Sequence, residues 1–108
     1  MISMNKHELF LETINNKKKV RIKADTQEKG IIERICIPFD FGSSRKYKDG
    51  NNRYHFFDLD SPDGSHNLSI LPEQLISIEV LNEGFEPKYY VRWKPISWFT
   101  PRDWGEFS

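Results

Sequence analysis

The chain predicts a mainly β domain: a small antiparallel barrel or sandwich of about five strands, with one leading helix and an aromatic-rich extension behind. Three observations predict it. From Lys19 to Asn82, apolar residues recur mostly at period two, the period of a half-buried strand. The segments that carry this period are short, and turn formers such as Asp49-Gly50 and Pro62-Asp63-Gly64 separate them. Helical spacing precedes them, in residues 5–16.

The helix is predicted from its caps and its face. Asn5 suits the N-cap and Glu8 completes a capping box three residues on. Leu9, Phe10, Thr13 and Ile14 then fall on one side, and Asn15-Asn16 closes the element. Lys17, Lys18 and Lys19 suit the negative end of the helix dipole.

In the first strand Val20 and Ile22 alternate with Arg21 and Lys23, and "ADTQEKG" turns the chain. "IIERICI" is the second strand, with Ile31, Ile35 and Ile37 sharing one face with Glu33. Pro38 is expected to end it, because proline cannot donate to a ladder. "FDFGSSRKYKDGNN" then reads as a long connection. "RYHFFDLDS" and "HNLSIL" form a hairpin around "SPDGS", where Pro62 presets its own φ and Gly64 accepts a positive one. "PEQL" is a single helical turn, and "LISIEVL" is the fifth strand. The expected core is Val20, Ile22, Ile35, Ile37, Ile76, Ile78 and Val80.

Residues 85–108 hold eight of the fifteen aromatic residues, with Pro87, Pro95 and Pro101 among them. A disordered tail is poor in aromatics, so this one is expected to pack, on its own barrel or on a partner. "YYVRW" is a candidate sixth strand. The 108 residues are expected to make one domain: helix 5–16, barrel 19–82, and an aromatic tail 83–108 packed on the barrel.

Composition narrows the function. A single cysteine, Cys36, excludes an internal disulfide and fits a reducing cytoplasm. The start of the chain lacks a signal-peptide pattern, and no apolar run is long enough to cross a membrane. Formal net charge is zero, yet residues 17–53 carry +6 and residues 54–108 carry −5. Such segregation suits either a basic binding face or two segments that neutralise each other across the fold.

Enzyme chemistry finds little footing. The glycines build no phosphate-cradling loop. His7, His55 and His66 lack a recognised metal spacing, although His55 and His66 could meet across a hairpin near Asp58 or Asp60. Cys36 sits among isoleucines, where a thiol behaves as a small hydrophobe. Asp58, Asp60 and Asp63 lack the calcium-loop pattern and suit turns. No cofactor is expected. The segment "SRKYKDGNNRY" remains. Arg45, Lys46, Lys48 and Arg53 supply charge for phosphates, and Tyr47 and Tyr54 supply rings on which bases stack. The same run also suits a solvated connection between strands, where lysines discourage edge pairing.

The order of features resembles the WYL domain of bacteria: a helix, "INNKKKVRIKA", a strand ending in "RICIPFDF", a loop, then "RYHFFDLDSPDGSHNLSILPEQLISIEVL". Tyr54 matches the family's Trp-Tyr-Leu signature, where Arg53-Tyr54-His55 stands here. Pro38 matches the proline after the second strand, and Leu75-Ile76-Ser77-Ile78 the final strand. The resemblance covers about residues 5–82 and implies an Sm-like, SH3-type barrel in a regulatory module that senses nucleic acid or a nucleotide-like ligand. The family's basic residues after the hairpin are missing from "HNLSIL", where only His66 could contribute. The leading expectation is a cytoplasmic, non-enzymatic module that contacts nucleic acid or a phosphorylated ligand through Arg45, Lys46, Tyr47, Lys48, Arg53 and Tyr54. The alternative is a protein-interaction module that uses the aromatic tail.

Overall fold

The computed structural model describes residues 5–44, 47–62, 64, 66–93 and 96–108. Helix α1 (Lys6–Asn16) is followed by β1 (Lys18–Thr26), β2 (Gly30–Ser43), β3 (Asn52–Asp58), β4 (His66–Ile70) and β5 (Leu75–Gly84). Short 3₁₀ turns occupy Pro72–Gln74, Pro87–Tyr89 and Gly105–Phe107. The strands form one antiparallel sheet in the order β4-β3-β2-β1-β5. The fold is mainly β, as the alternating pattern predicts.

The expected capping box forms at the helix start. The Asn5 side chain accepts from the Glu8 amide, and the Glu8 carboxylate accepts from the Asn5 amide. This satisfies amides that the first turn leaves without an intrahelical partner. Helix α1 lays Phe10 and Ile14 into the sheet, with the Phe10 ring edge-on to Tyr54 and Phe56.

Strand β2 links the two halves of the sheet. Its first half pairs with β1, from Gly30 opposite Thr26 to Cys36 opposite Val20. Its second half pairs with β3, from Cys36 opposite Asp58 to Ser43 opposite Asn52. One long strand therefore serves both halves of a barrel-like sheet. Pro38 does not end this strand, contrary to the sequence expectation; β2 continues to Ser43 through an irregularity between Pro38 and Asp40. The residue left out of the ladder is Phe39; Pro38 stands opposite Phe56 on β3 and lies past Cys36, the last β2 residue paired with β1, so its missing N–H falls where β2 has a partner on one side only.

The core differs from the expected set in three places. Val20, Ile22, Ile37 and Ile78 are buried, as expected. The inner face of β2 is the even one: Ile32 and Cys36 stand beside Ala24 and Val20, whereas Ile31 is 62% exposed and Ile35 is half-buried. Ile76 and Val80 are 45% and 43% exposed. Ile76 falls at an irregularity in the β1–β5 pairing, where Leu75 takes the buried place beside Ala24. Val80 stands opposite Val20 on β5, which ends the sheet and has a strand on one side only.

Candidate functional site

Arg45 and Lys46 lie outside the described residues. The rest of the β2–β3 connection is built on Arg53. Its guanidinium grips both carboxylate oxygens of Asp49, at 3.0 and 2.9 Å, and lies 4.3 Å from the centre of the Tyr47 ring. Asp49 also accepts from the Asn51 amide. These hydrogen bonds, the Arg53 ones above all, hold the Asp49 carboxyl far below its ordinary range. Lys48 and Tyr47 stay on the outside.

Two expected site residues have other work. Arg53 is only 6% exposed, and its charge is spent on Asp49. Tyr54 is 5% exposed: its ring packs on Phe10 and Phe41, its hydroxyl meets His7 Nδ1 at 2.9 Å, and burial raises its pKa. The alternation of β3 explains the burial of Tyr54, because Tyr54 and Phe56 point to the core beneath α1; Arg53, one position earlier, lies on the other face, where it meets Asp49 and the Tyr47 ring. Beside the connection lies an open groove of about 290 Å³, lined by Phe41, Asn51, Asn52, Leu71, Pro72 and Glu73.

The tail carries a constellation that the sequence reading missed. Asp40, buried at the bulge of β2, accepts from the amides of Phe41, Phe99 and Thr100, each at 2.9 Å. The Arg102 guanidinium meets the same carboxylate at 3.2 Å, donates to the carbonyls of Thr100 and Phe39, and is sandwiched 3.9 Å from the Trp98 ring and 4.5 Å from Trp104. Its side chain is wholly buried, which lowers the Arg102 pKa to about 10 against the opposing pull of Asp40. Trp104 Nε1 donates to the Ile14 carbonyl at 2.7 Å and so ties the tail to the end of α1. The Phe99 ring occupies the space that a side chain at Gly42 would need. "YYVRW" forms no strand; Pro87–Tyr89 turns instead, and Val91 is buried.

Cys36, His55 and His66 have structural places. Cys36 is buried, and desolvation, aided by Asp58, pushes its thiol far up. His55 does not meet His66: it bonds Ser69 and the Gly42 carbonyl, while His66 pairs with Asp58 in the ladder. Among the described residues, no group of three His, Cys, Asp or Glu side chains could hold a metal. No helix among them is long and apolar enough to cross a membrane. A larger open groove, about 450 Å³, lies between the end of α1 and the Pro87–Tyr89 turn; Lys17, Lys19, Phe85, Glu86, Tyr89 and Tyr90 line it.

No protein-family model matches the chain. No curated protein matches it either. Among solved structures, proteasome accessory factor B/C (PafBC) of Arthrobacter aurescens is similar in fold, with a TM-score of 0.58 at 15% sequence identity. The likeness covers 81% of this chain but only 13% of that one. At this identity it is a likeness of fold, and the chain corresponds to a small part of the neighbour's length.

Proposed function

We propose that this chain is a non-enzymatic, WYL-like binding module of a regulatory system, and that it holds a nucleic-acid strand or phosphorylated ligand against the β2–β3 connection. The resemblance of residues 5–82 to WYL domains and the fold shared with part of PafBC support the module. The Arg53–Asp49–Tyr47 cluster supports the site. It stiffens the base of the connection and leaves Lys48 and Tyr47 facing outward. In this proposal Lys48, with Arg45 and Lys46 from the sequence, contacts phosphate, and Tyr47 offers a ring on which a base stacks. Arg53 positions Tyr47, and Tyr54 belongs to the core.

Titration with a labelled single-stranded oligonucleotide at two salt concentrations tests this. Wild type binds at low salt and weakens as salt rises, because phosphate contacts release counterions. Replacing Lys46 and Lys48 with Glu weakens binding by more than the loss of one stacked base, which is worth about 1–3 kcal/mol, and flattens the salt dependence. Absence of wild-type binding at low salt would reduce the connection to a solvated turn. One observation favours a second reading, a protein partner at the tail: Phe99 and Trp93 stay 66% and 43% exposed although the tail packs its other tryptophans inward. Salt-insensitive binding lost in Trp93→Ala would select that reading.

A further inference from the structure

The groove at the far end of α1 from the β2–β3 connection has a different composition. One wall is aromatic and fixed from behind. Phe85 is buried, edge-on to Trp104 at 5.5 Å and to Tyr90 at 6.4 Å, and Tyr90 leans on Phe57. The 3₁₀ turn sets Tyr89, whose amide donates a hydrogen bond to the Glu86 carbonyl, and that ring stays 59% exposed with the Lys88 ammonium 5.3 Å from its centre. The opposite wall is cationic. Lys17 caps α1 in the left-handed conformation, at φ 54°, a costly state for a residue with a side chain. Its carbonyl accepts from the Phe85 amide at 2.9 Å, and Gly84 passes so close that an added Cβ would lie 3.2 Å from that oxygen. The two walls are therefore stitched together by backbone.

The charges in this groove are not all used. Lys19 is paired with Glu83 at 2.7 Å. Lys17 and Glu86 form no salt bridge among the described residues, with each other or with any other group. An occupant that answers all of these features needs a planar ring for the tyrosines, an anionic group for Lys17, and an amino hydrogen for Glu86. A bare phosphate leaves the rings idle, and a neutral aromatic leaves the ammonium idle. The volume of about 450 Å³ falls within the range of about 300–1,000 Å³ typical of small-molecule sites. We propose that this groove is a second site, separate from the β2–β3 connection, that binds a small nucleotide-class ligand: the ring lies on Tyr89 and Tyr90, the phosphate on Lys17 with Lys19 at its margin, and an exocyclic amine on Glu86.

Equilibrium dialysis of the full chain against adenosine 5′-monophosphate, adenosine and inorganic phosphate tests the site. Adenosine monophosphate binds with Kd on the order of 1 mM or tighter, and each fragment binds more weakly. Lys17→Gly removes the ammonium at a position where glycine is the preferred residue, so the fold is kept and affinity falls about tenfold. Tyr89→Ala, at an exposed ring, costs about tenfold as well. Lys48→Glu leaves this binding unchanged, and Lys17→Gly leaves oligonucleotide binding at the other site unchanged, so either site can fail without the other. No bound adenosine monophosphate, phosphate bound as tightly as the nucleotide, or nucleotide binding that survives both groove variants would each overturn the assignment.

Discussion

Asp40 shows how much one buried carboxylate can settle. It takes three backbone amides and a guanidinium whose side chain is wholly buried, so its loss leaves three amides without that acceptor and a buried charge without its counter-ion. Breaking a buried ion pair from one side costs about 3–5 kcal/mol, far more than an exposed pair is worth. Asp40→Ala is therefore expected to lower the urea midpoint by that equivalent and to increase tryptophan exposure in fluorescence, since Trp98 and Trp104 flank Arg102. Nothing in "PFDFG" marks Asp40 for this role, because all its partners except the Phe41 amide lie about sixty positions away. The burial of Tyr54 was more accessible: its place in the alternation with Phe56 already puts it on an apolar face. Cys36 gives a pH-dependent consequence. Its folded pKa is raised, so the native state keeps a proton that the unfolded chain releases above about pH 8.5. Stability is then constant below that pH and falls above it, by up to about 1.4 kcal/mol per pH unit from this group. Buried Tyr54 adds to the fall at higher pH, with the same sign. Denaturation curves between pH 7 and 10 are expected to show a decline that is shallower in Cys36→Ala.

At the scale of the element, period and caps were readable, whereas the choice of face was not. The Asn5–Glu8 box and the fivefold strand pattern carry their own local chemistry, and both form. "IIERICI" has isoleucine at both parities, so alternation cannot say which side is inward; contact with Val20 and Ala24 on β1 decides it. The second half of β2 is harder still. From Cys36 to Asp40 every residue is buried. Phe10 of α1 reaches the partner strand β3 from one side, and Trp93, Trp98 and Tyr90 meet Phe39 and Phe57 from the other. A strand covered on both faces loses its alternation. β5 makes the opposite point, since one apolar row serves different ends. Ile78 is 8% exposed and Ile76 is 45% exposed. Ile78→Ala is accordingly expected to cost about 2–5 kcal/mol, and Ile76→Ala less than about 1 kcal/mol, in matched urea titrations. Equal costs would mean that the irregularity in β5 is misplaced.

At the scale of the molecule, some of the segregated charges meet across the fold. Arg21 of β1 reaches Glu79 of β5 at 3.1 Å, Lys19 reaches Glu83, Arg34 reaches Asp58, and Asp40 of the basic segment takes Arg102 of the acidic one. The exposed pairs contribute little stability each, but they leave a smaller basic surface than the sequence totals suggest, with Lys17 and Lys48 among the lysines outside these pairs. The aromatic tail matters more to the whole. Phe85, Val91 and Trp104 are buried, and Trp98 is half-buried against Phe39. Each large apolar side chain removed from water contributes about 1.5–3 kcal/mol, so ending the chain after Asn82 is expected to lower stability by several kcal/mol or to leave an insoluble protein. Insolubility would hide the size of the effect, and Trp104→Ala measures it in the full chain. That variant removes one ring and the bond to the Ile14 carbonyl, at a cost of about 3–5 kcal/mol by urea denaturation. A shortened chain as stable as the full one would show that these rings contribute nothing to the barrel, and would move the balance from a ligand at the β2–β3 connection to a protein partner at the tail.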